Sequence, residues 1–263
     1  MINLKQFAII SKDIKSVVSN KSLLTGLVIV PLIFTLVLPV IFILLLYFVP
    51  DQTGEMEQML ALLPASMVSD DMSRTIYVML FNFIMPMFFI LIPVLASTIM
   101  AASSFVGEKE KRTLETLLYC PLSLTQIYQA KVWASFFLSM GISLSAFIVM
   151  LIVMEAGALL LIGNMMLPGL SWLFTMLVVS PTVSLLSITL IVMISAKAQS
   201  MEDAQQRSVF LIIPLILLIA GQFSGIILIS SWYLLAAGAL FGIIAYVMMK
   251  KSTKNLTYEK LLK

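Results

Sequence analysis

The residues of this chain best placed to do chemistry stand together in GEKEKRTLETLLYCPLS, residues 107–123, where Glu108, Glu110 and Glu115 share a short stretch with Lys109, Lys111 and Arg112. Groups of these types can catalyse, hold a metal or dock on another charged surface. The chain has no histidine and one cysteine, Cys120, so no His/Cys metal cluster and no internal disulfide can be built, and no metal site is expected. Glu108 and Arg112 are four apart, as are Lys111 and Glu115, and on a helix each such pair contributes about 0.2–0.5 kcal/mol. The pattern predicts a charged surface helix with Leu114, Leu117 and Leu118 along one edge. Pro121 stops it, because the residue before proline is pushed out of helical geometry. Ser123 and Gln126 then have capping-box spacing for a new helix running through Lys131. A merely solvated loop needs neither the leucine edge nor the framing signals, whereas a docking surface for another protein uses both.

The elements that must position this stretch are apolar. The chain is 263 residues long and 61% hydrophobic, with only 11% charged residues, against about a quarter in a soluble domain. Runs such as LLTGLVIVPLIFTLVLPVIFILLLYFV exceed the ~20 residues a helix needs to cross a bilayer, and they lack the alternation of a membrane barrel. The fold class expected is an all-α integral membrane protein with six spans, near 22–49, 76–105, 132–154, 170–195, 209–229 and 232–249. Residues 209–249 are too long for one crossing and must turn near Gly221, Gly225 or Ser230 and Ser231. One domain, 1–263, is expected, with residues 50–75 as its external loop.

Charge placement orients the spans. Fifteen of the sixteen basic residues fall in the N-terminal arm, the 106–131 loop, the 197–208 loop and the tail; the other side keeps Arg74 beside Asp51, Glu55, Glu57, Asp70 and Asp71. Lys and Arg accumulate on the cytoplasmic side, so both termini and the quoted stretch are expected there. The net charge of +3 is thus a matter of topology, and no nucleic-acid partner is implied. The first apolar run, about 28 residues with no evident cleavage site, reads as a span and not as a signal peptide.

Residues 1–21 carry Leu4, Phe7, Ile10, Ile14 and Val17 at three- and four-residue intervals, with Lys5, Lys12 and Lys15 around the rest of the wheel. This is the pattern of an amphipathic helix in the headgroup plane, either a basic anchor or an elbow that couples cytoplasmic motion to the first span. Pro31, Pro39, Pro86, Pro93, Pro181 and Pro214 predict kinks. Ser135, Ser139 and Ser143 step by four, which favours close helix packing. Asn82 and Gln222 are amides in hydrocarbon that need partners, and with Glu155, an acid just after the third span that reads either as an interfacial cap or as an ion or proton site, they are the candidate substrate-pathway residues. Residues 156–169, AGALLLIGNMMLPG, are too short to span.

GEKEKRTLETLLYCPLSLTQIYQAK resembles the signature of ABC-2 type transporter permeases, roughly E-K-E-x-G-T-L-E-x-L-L-x-x-P-[VIL]-S followed by a short helix ending in G-K. Glu108, Glu110, Thr113, Leu114, Glu115, Leu117, Leu118, Pro121, Ser123 and Lys131 match, while Arg112 and Ala130 stand where glycine is frequent. The six-span plan and the arm KDIKSVVSNKSLL are also similar. In that family the loop between the second and third spans is a coupling helix seated in a cleft of a separate ATPase. The resemblance implies an exporter of two permease chains, identical or related, with two ATPase subunits. ATP and magnesium would be bound by the ATPase, and this chain would have neither cofactor nor catalytic residue. Glu108, Glu110, Thr113, Leu114, Glu115, Leu118, Pro121 and Ser123 are the implied coupling residues, with the three glutamates pairing with basic residues of the ATPase. No G-x-x-x-x-G-K-[ST] phosphate loop occurs in the sequence. A drug, an antimicrobial peptide or a similar amphiphile is the first substrate class, sodium extrusion the second. A non-transporting sensor or scaffold that binds an ATPase is the alternative of a different kind. A prokaryotic cell membrane is the expected location.

Overall fold

A computed structural model describes residues 3–48, 72–111, 113, 121–195, 198, 200–223 and 231–254. Among these residues there is no strand, and seven helices follow in order. They are α1 (Leu4–Ser19), α2 (Lys21–Phe48), α3 (Arg74–Glu110), α4 (Leu124–Leu161), α5 (Leu170–Ser195), α6 (Met201–Phe223) and α7 (Ser231–Lys254). Helices α2, α3, α4, α5 and α7 are long and apolar enough to cross a membrane. Five such helices stand where six spans are expected. Helix α6 covers much of the expected fifth, and the break between it and α7 falls within residues 224–230, outside the described residues, as does most of the expected external loop.

Helices α3, α4 and α7 run past their expected ends, α4 the furthest. Helix α4 has 38 residues, about 57 Å of helix against ~30 Å of hydrocarbon, so it must project beyond the membrane. It ends at Gly163, whose φ of 74° lets its N–H and that of Ile162 fold back on the Ala158 carbonyl. Glu155 therefore lies within the helix, and residues 162–169 form only a connector to α5.

The proline kinks have a common form. Each of the three π turns among the described residues, Ile33–Val37, Leu80–Ile84 and Thr175–Val179, ends two residues before a proline: Pro39, Pro86 and Pro181. A proline ring presses on the carbonyl four residues back and offers it no N–H. Widening the preceding turn by one residue relieves that pressure, and Leu38, Met85 and Ser180 donate instead to the carbonyls five residues back, Ile33, Leu80 and Thr175. The carbonyls so displaced need other donors. The Phe81 oxygen is one of these and receives the Trp172 indole N–H at 2.8 Å; just past the third π turn, Thr182 Oγ1 back-bonds to the Val178 and Val179 oxygens at 2.8 and 3.0 Å.

Helix α3 is the centre of the bundle. Its most apolar stretch is 72% buried, against 28% for α2 and α4 and 17% for α7; α1, α2, α4, α5 and α6 pack on it, while α7 packs on α5. Ser135, Ser139 and Ser143 of the serine step are fully buried, and the middle one reaches α5, where the Ser139 and Ser184 hydroxyls meet at 2.7 Å. Helix α7 approaches α5 through Gly238 and Gly242, a G-x-x-x-G pair: a Cβ on either would come within 2.9–3.0 Å of Val178 or Thr182.

Candidate functional site

The end of α3, the start of α4 and the N-terminal helix converge at the root of the 107–131 stretch. Helix α3 runs to Glu110, with Lys111 as its cap, and the Thr113 N–H and hydroxyl both return to the Glu108 carbonyl, at 2.9 and 3.3 Å. The charged helix expected from Glu108 onward does not continue α3 in this way: Thr113 is already out of helical structure. Residues 112 and 114–120, including the expected Leu114, Glu115 and Leu118, lie outside the described residues. On the return side the expected capping box is present. Ser123 Oγ accepts from the Gln126 N–H at 3.3 Å, Gln126 Oε1 accepts from the Ser123 N–H at 3.0 Å, and α4 starts there, just after Pro121.

Glu108, one of the three glutamates expected to pair with the ATPase, is drawn into the protein. Its side chain is 9% exposed, and Lys131 Nζ lies 2.8 Å from Oε2, close but off the hydrogen-bond direction, while Lys12 donates to Oε1. Lys131 is 3% exposed and also donates to the Ser104 carbonyl at 2.5 Å and to Asp13 Oδ2 at 3.5 Å. Asp13, 4% exposed, accepts from Ser104 Oγ at 2.6 Å and lies 3.3 Å from Lys12. Two carboxylates and two ammonium groups thus balance in one cluster that joins α1, α3 and α4. The energies favour a place for Glu108 in this cluster over one in an exposed local pair. An exposed i,i+4 pair contributes only about 0.5 kcal/mol at most, whereas stranding Lys131 among buried groups costs several times that. Burial lowers the Lys12 pKa, but its hydrogen bond to Glu108 and the nearby charges of Asp13 and Glu108 outweigh this and raise it above the ordinary lysine value.

Neither Asp13 nor Lys12, which the sequence places only on the basic side of the α1 wheel, is among the candidate site residues, and a signal for Asp13 existed. Asp13 stands three residues after Ile10 and four before Val17, on the inward face made by Gln6, Ile9, Ile10 and Val17, where a carboxylate needs a buried partner. The apolar positions of α1 also divide in two. Leu4, Phe7 and Val18 are exposed, while Ile9, Ile10 and Val17 pack on Met100, Ile127, Ala130 and Ala134. This helix is seated on the protein along one face and presents a second apolar stripe to its surroundings.

Glu110 is exposed and links α3 to α6, its Oε2 accepting the Met201 N–H at 3.1 Å. A carboxylate there also suits the positive end of the α6 dipole. A polar pocket of about 310 Å3 beside the cluster is lined by Lys12, Asp13, Ser104, Glu108, Lys111 and Thr113, among others.

Two of the three pathway candidates meet at the opposite end of the bundle. Asn82 Oδ1 accepts the Gly169 N–H at 2.8 Å, and Glu155 Oε2 accepts the Met166 N–H at 3.3 Å, so both pin the connector 162–169. Nearby, the Tyr77 hydroxyl donates to the Met154 carbonyl. Gln222 lies in α6, with its side chain outside the described residues.

The family described as "ABC-2 family transporter protein" matches residues 7–231, from inside α1 to the start of α7, and so includes every residue of the charge cluster. No curated protein matches the chain. With the family match covering most of its length and five membrane-length helices around a buried ionic root, the chain belongs to the ABC-2 family of transporter proteins, as a permease.

Proposed function

We propose that this permease forms half of the transmembrane pathway of an ATP-driven exporter, assembled as two permease chains with two separate ATPase subunits. Residues 107–131 are the element the ATPase grips from the cytosol, with ATP and magnesium bound on the ATPase. Both termini lie on that same side, in keeping with the fifteen basic residues gathered there. Glu110, Thr113, Glu115, Pro121 and Ser123 frame the gripped surface, and Leu114 and Leu118 pack into the ATPase cleft; Glu108 serves at the root. A drug, an antimicrobial peptide or a similar amphiphile is the substrate class in keeping with the family resemblance.

The observation that carries this reading is the locked root. Lys131 holds Glu108, so the two longest helices leave the turn from one fixed point, and displacement of the turn is delivered to both. The test is reversal of Glu115, a residue of the turn itself. In proteoliposomes holding the permease and its ATPase, Glu115→Lys should abolish substrate transport while ATP hydrolysis by the ATPase persists. Wild-type transport by that variant would refute the docking role.

A further inference from the structure

Apolar packing seats α1 on α3 and α4, but such packing has no direction and tolerates sliding along the helices. The ionic cluster does not. Lys131 has its positions fixed by Glu108, Asp13 and the Ser104 carbonyl, and Asp13 is held in turn by the Ser104 hydroxyl. A buried ion pair is commonly no more stabilising than apolar residues of the same volume, so its burial calls for a role in fixing register. Register here means the place of α1 relative to the root of the turn. Sequence position reinforces the point: Glu108 and Lys131 close the turn on itself, and Asp13 ties in a helix about a hundred residues away.

We propose that Asp13 and Lys131 are positioning residues for coupling, which fasten the N-terminal helix to the root of the docking turn so that ATP-driven movement of the turn carries that helix with it. The inference rests on the docking role given to residues 107–131. The N-terminal helix is then a third limb of the moving unit, alongside the second and third spans. Its exposed apolar stripe of Leu4, Phe7 and Val18 would transmit that displacement along the membrane surface.

Charge balance supplies a test that separates positioning from folding. Lys131→Met alone leaves Asp13 and Glu108 with only Lys12, and the thermal midpoint of the permease should fall. Adding Asp13→Asn restores balance, with Glu108 against Lys12, and should recover the midpoint without restoring the tether. The complete complex of permease and ATPase in lipid nanodiscs would carry a fluorescent label at Ser11→Cys, an exposed position of α1, with Cys120→Ser removing the native thiol. The unmodified cluster should give an ATP-dependent change in label signal. The D13N/K131M variant, whose two altered side chains are buried behind the gripped surface and take no part in it, should bind the ATPase and hydrolyse ATP yet lose that change. If it recovers both midpoint and signal, the cluster only holds the fold and the proposal is overturned. Should the double variant misfold, D13N alone, which keeps the volume and an acceptor for Ser104, carries the same expectation of a reduced signal. If the unmodified permease binds no ATPase, the docking role itself falls, and the proposal with it; the missing complex distinguishes that result.

Discussion

Replacing Gly238 by alanine sets two opposed effects against each other, and the structure says which wins. In a helix interior alanine is favoured over glycine by about 0.8–1.0 kcal/mol. At Gly238, however, the new Cβ would stand 2.9 Å from Val178 Cγ1, 3.2 Å from Val179 Cγ2 and 3.4 Å from Val179 Cα. Val178 and Val179 belong to the π turn before Pro181, where the Thr182 hydroxyl already occupies their carbonyls, so the backbone there has little freedom to retreat. Overpacking of this kind costs roughly 1–3 kcal/mol. Gly141, in the middle of α4, is the control, since a Cβ there meets nothing within 4 Å. The propensity gain is common to both substitutions and cancels in their difference. Gly141→Ala should therefore stabilise by up to about 1 kcal/mol, and Gly238→Ala should be less stable than Gly141→Ala by about 1–3 kcal/mol. Unfolding in mixed micelles by SDS titration, followed through tryptophan fluorescence, measures both. Equal stabilisation by the two substitutions would refute the close α5–α7 approach.

Trp172→Phe keeps most of the buried ring but removes the indole N–H, leaving the Phe81 carbonyl without that donor; a loss of about 1–3 kcal/mol is expected in the same titration, and an unchanged midpoint would mean that another donor takes its place. The charge cluster predicts an alkaline limit. Because the Lys12 pKa is raised in the folded protein, the stability it contributes is fully present below the ordinary lysine pKa of 10.5 and is lost as pH climbs through the raised value. Thermal midpoints followed from pH 9 upward, a range set by that lysine titration, should fall less steeply in Lys12→Met than in the unmodified chain, and identical slopes would argue that Lys12 adds nothing.

Much of the bundle was legible because its signals are local. The fourth span was expected at 170–195 and is found at Leu170–Ser195; the first and last, expected at 22–49 and 232–249, are found at Lys21–Phe48 and Ser231–Lys254. Ser123 and Gln126 carry their capping box in four adjacent residues, and the serine step of α4 is a helical period. What was missed depends on distant neighbours. Prolines announce kinks, but not that the turn before each of three of them widens, nor that Trp172 comes to one opened carbonyl. Glu108 has a plausible partner four residues on, and only the folded chain brings Lys131 and Lys12 to it. The G-x-x-x-G of α7 could have been read from sequence alone, yet its counterpart on α5 could not.

Asn20 is the whole of the connection between α1 and α2. Its backbone N–H closes the first helix on the Val17 carbonyl, and its side chain accepts from the Ser22 and Leu23 N–H groups at the start of the second. A longer connection would take up movement as slack. With one residue as the joint, any tilt of the helix before it becomes a pivot of the helix after it, and inserting two or three glycines there would disconnect the two mechanically while sparing every contact within either.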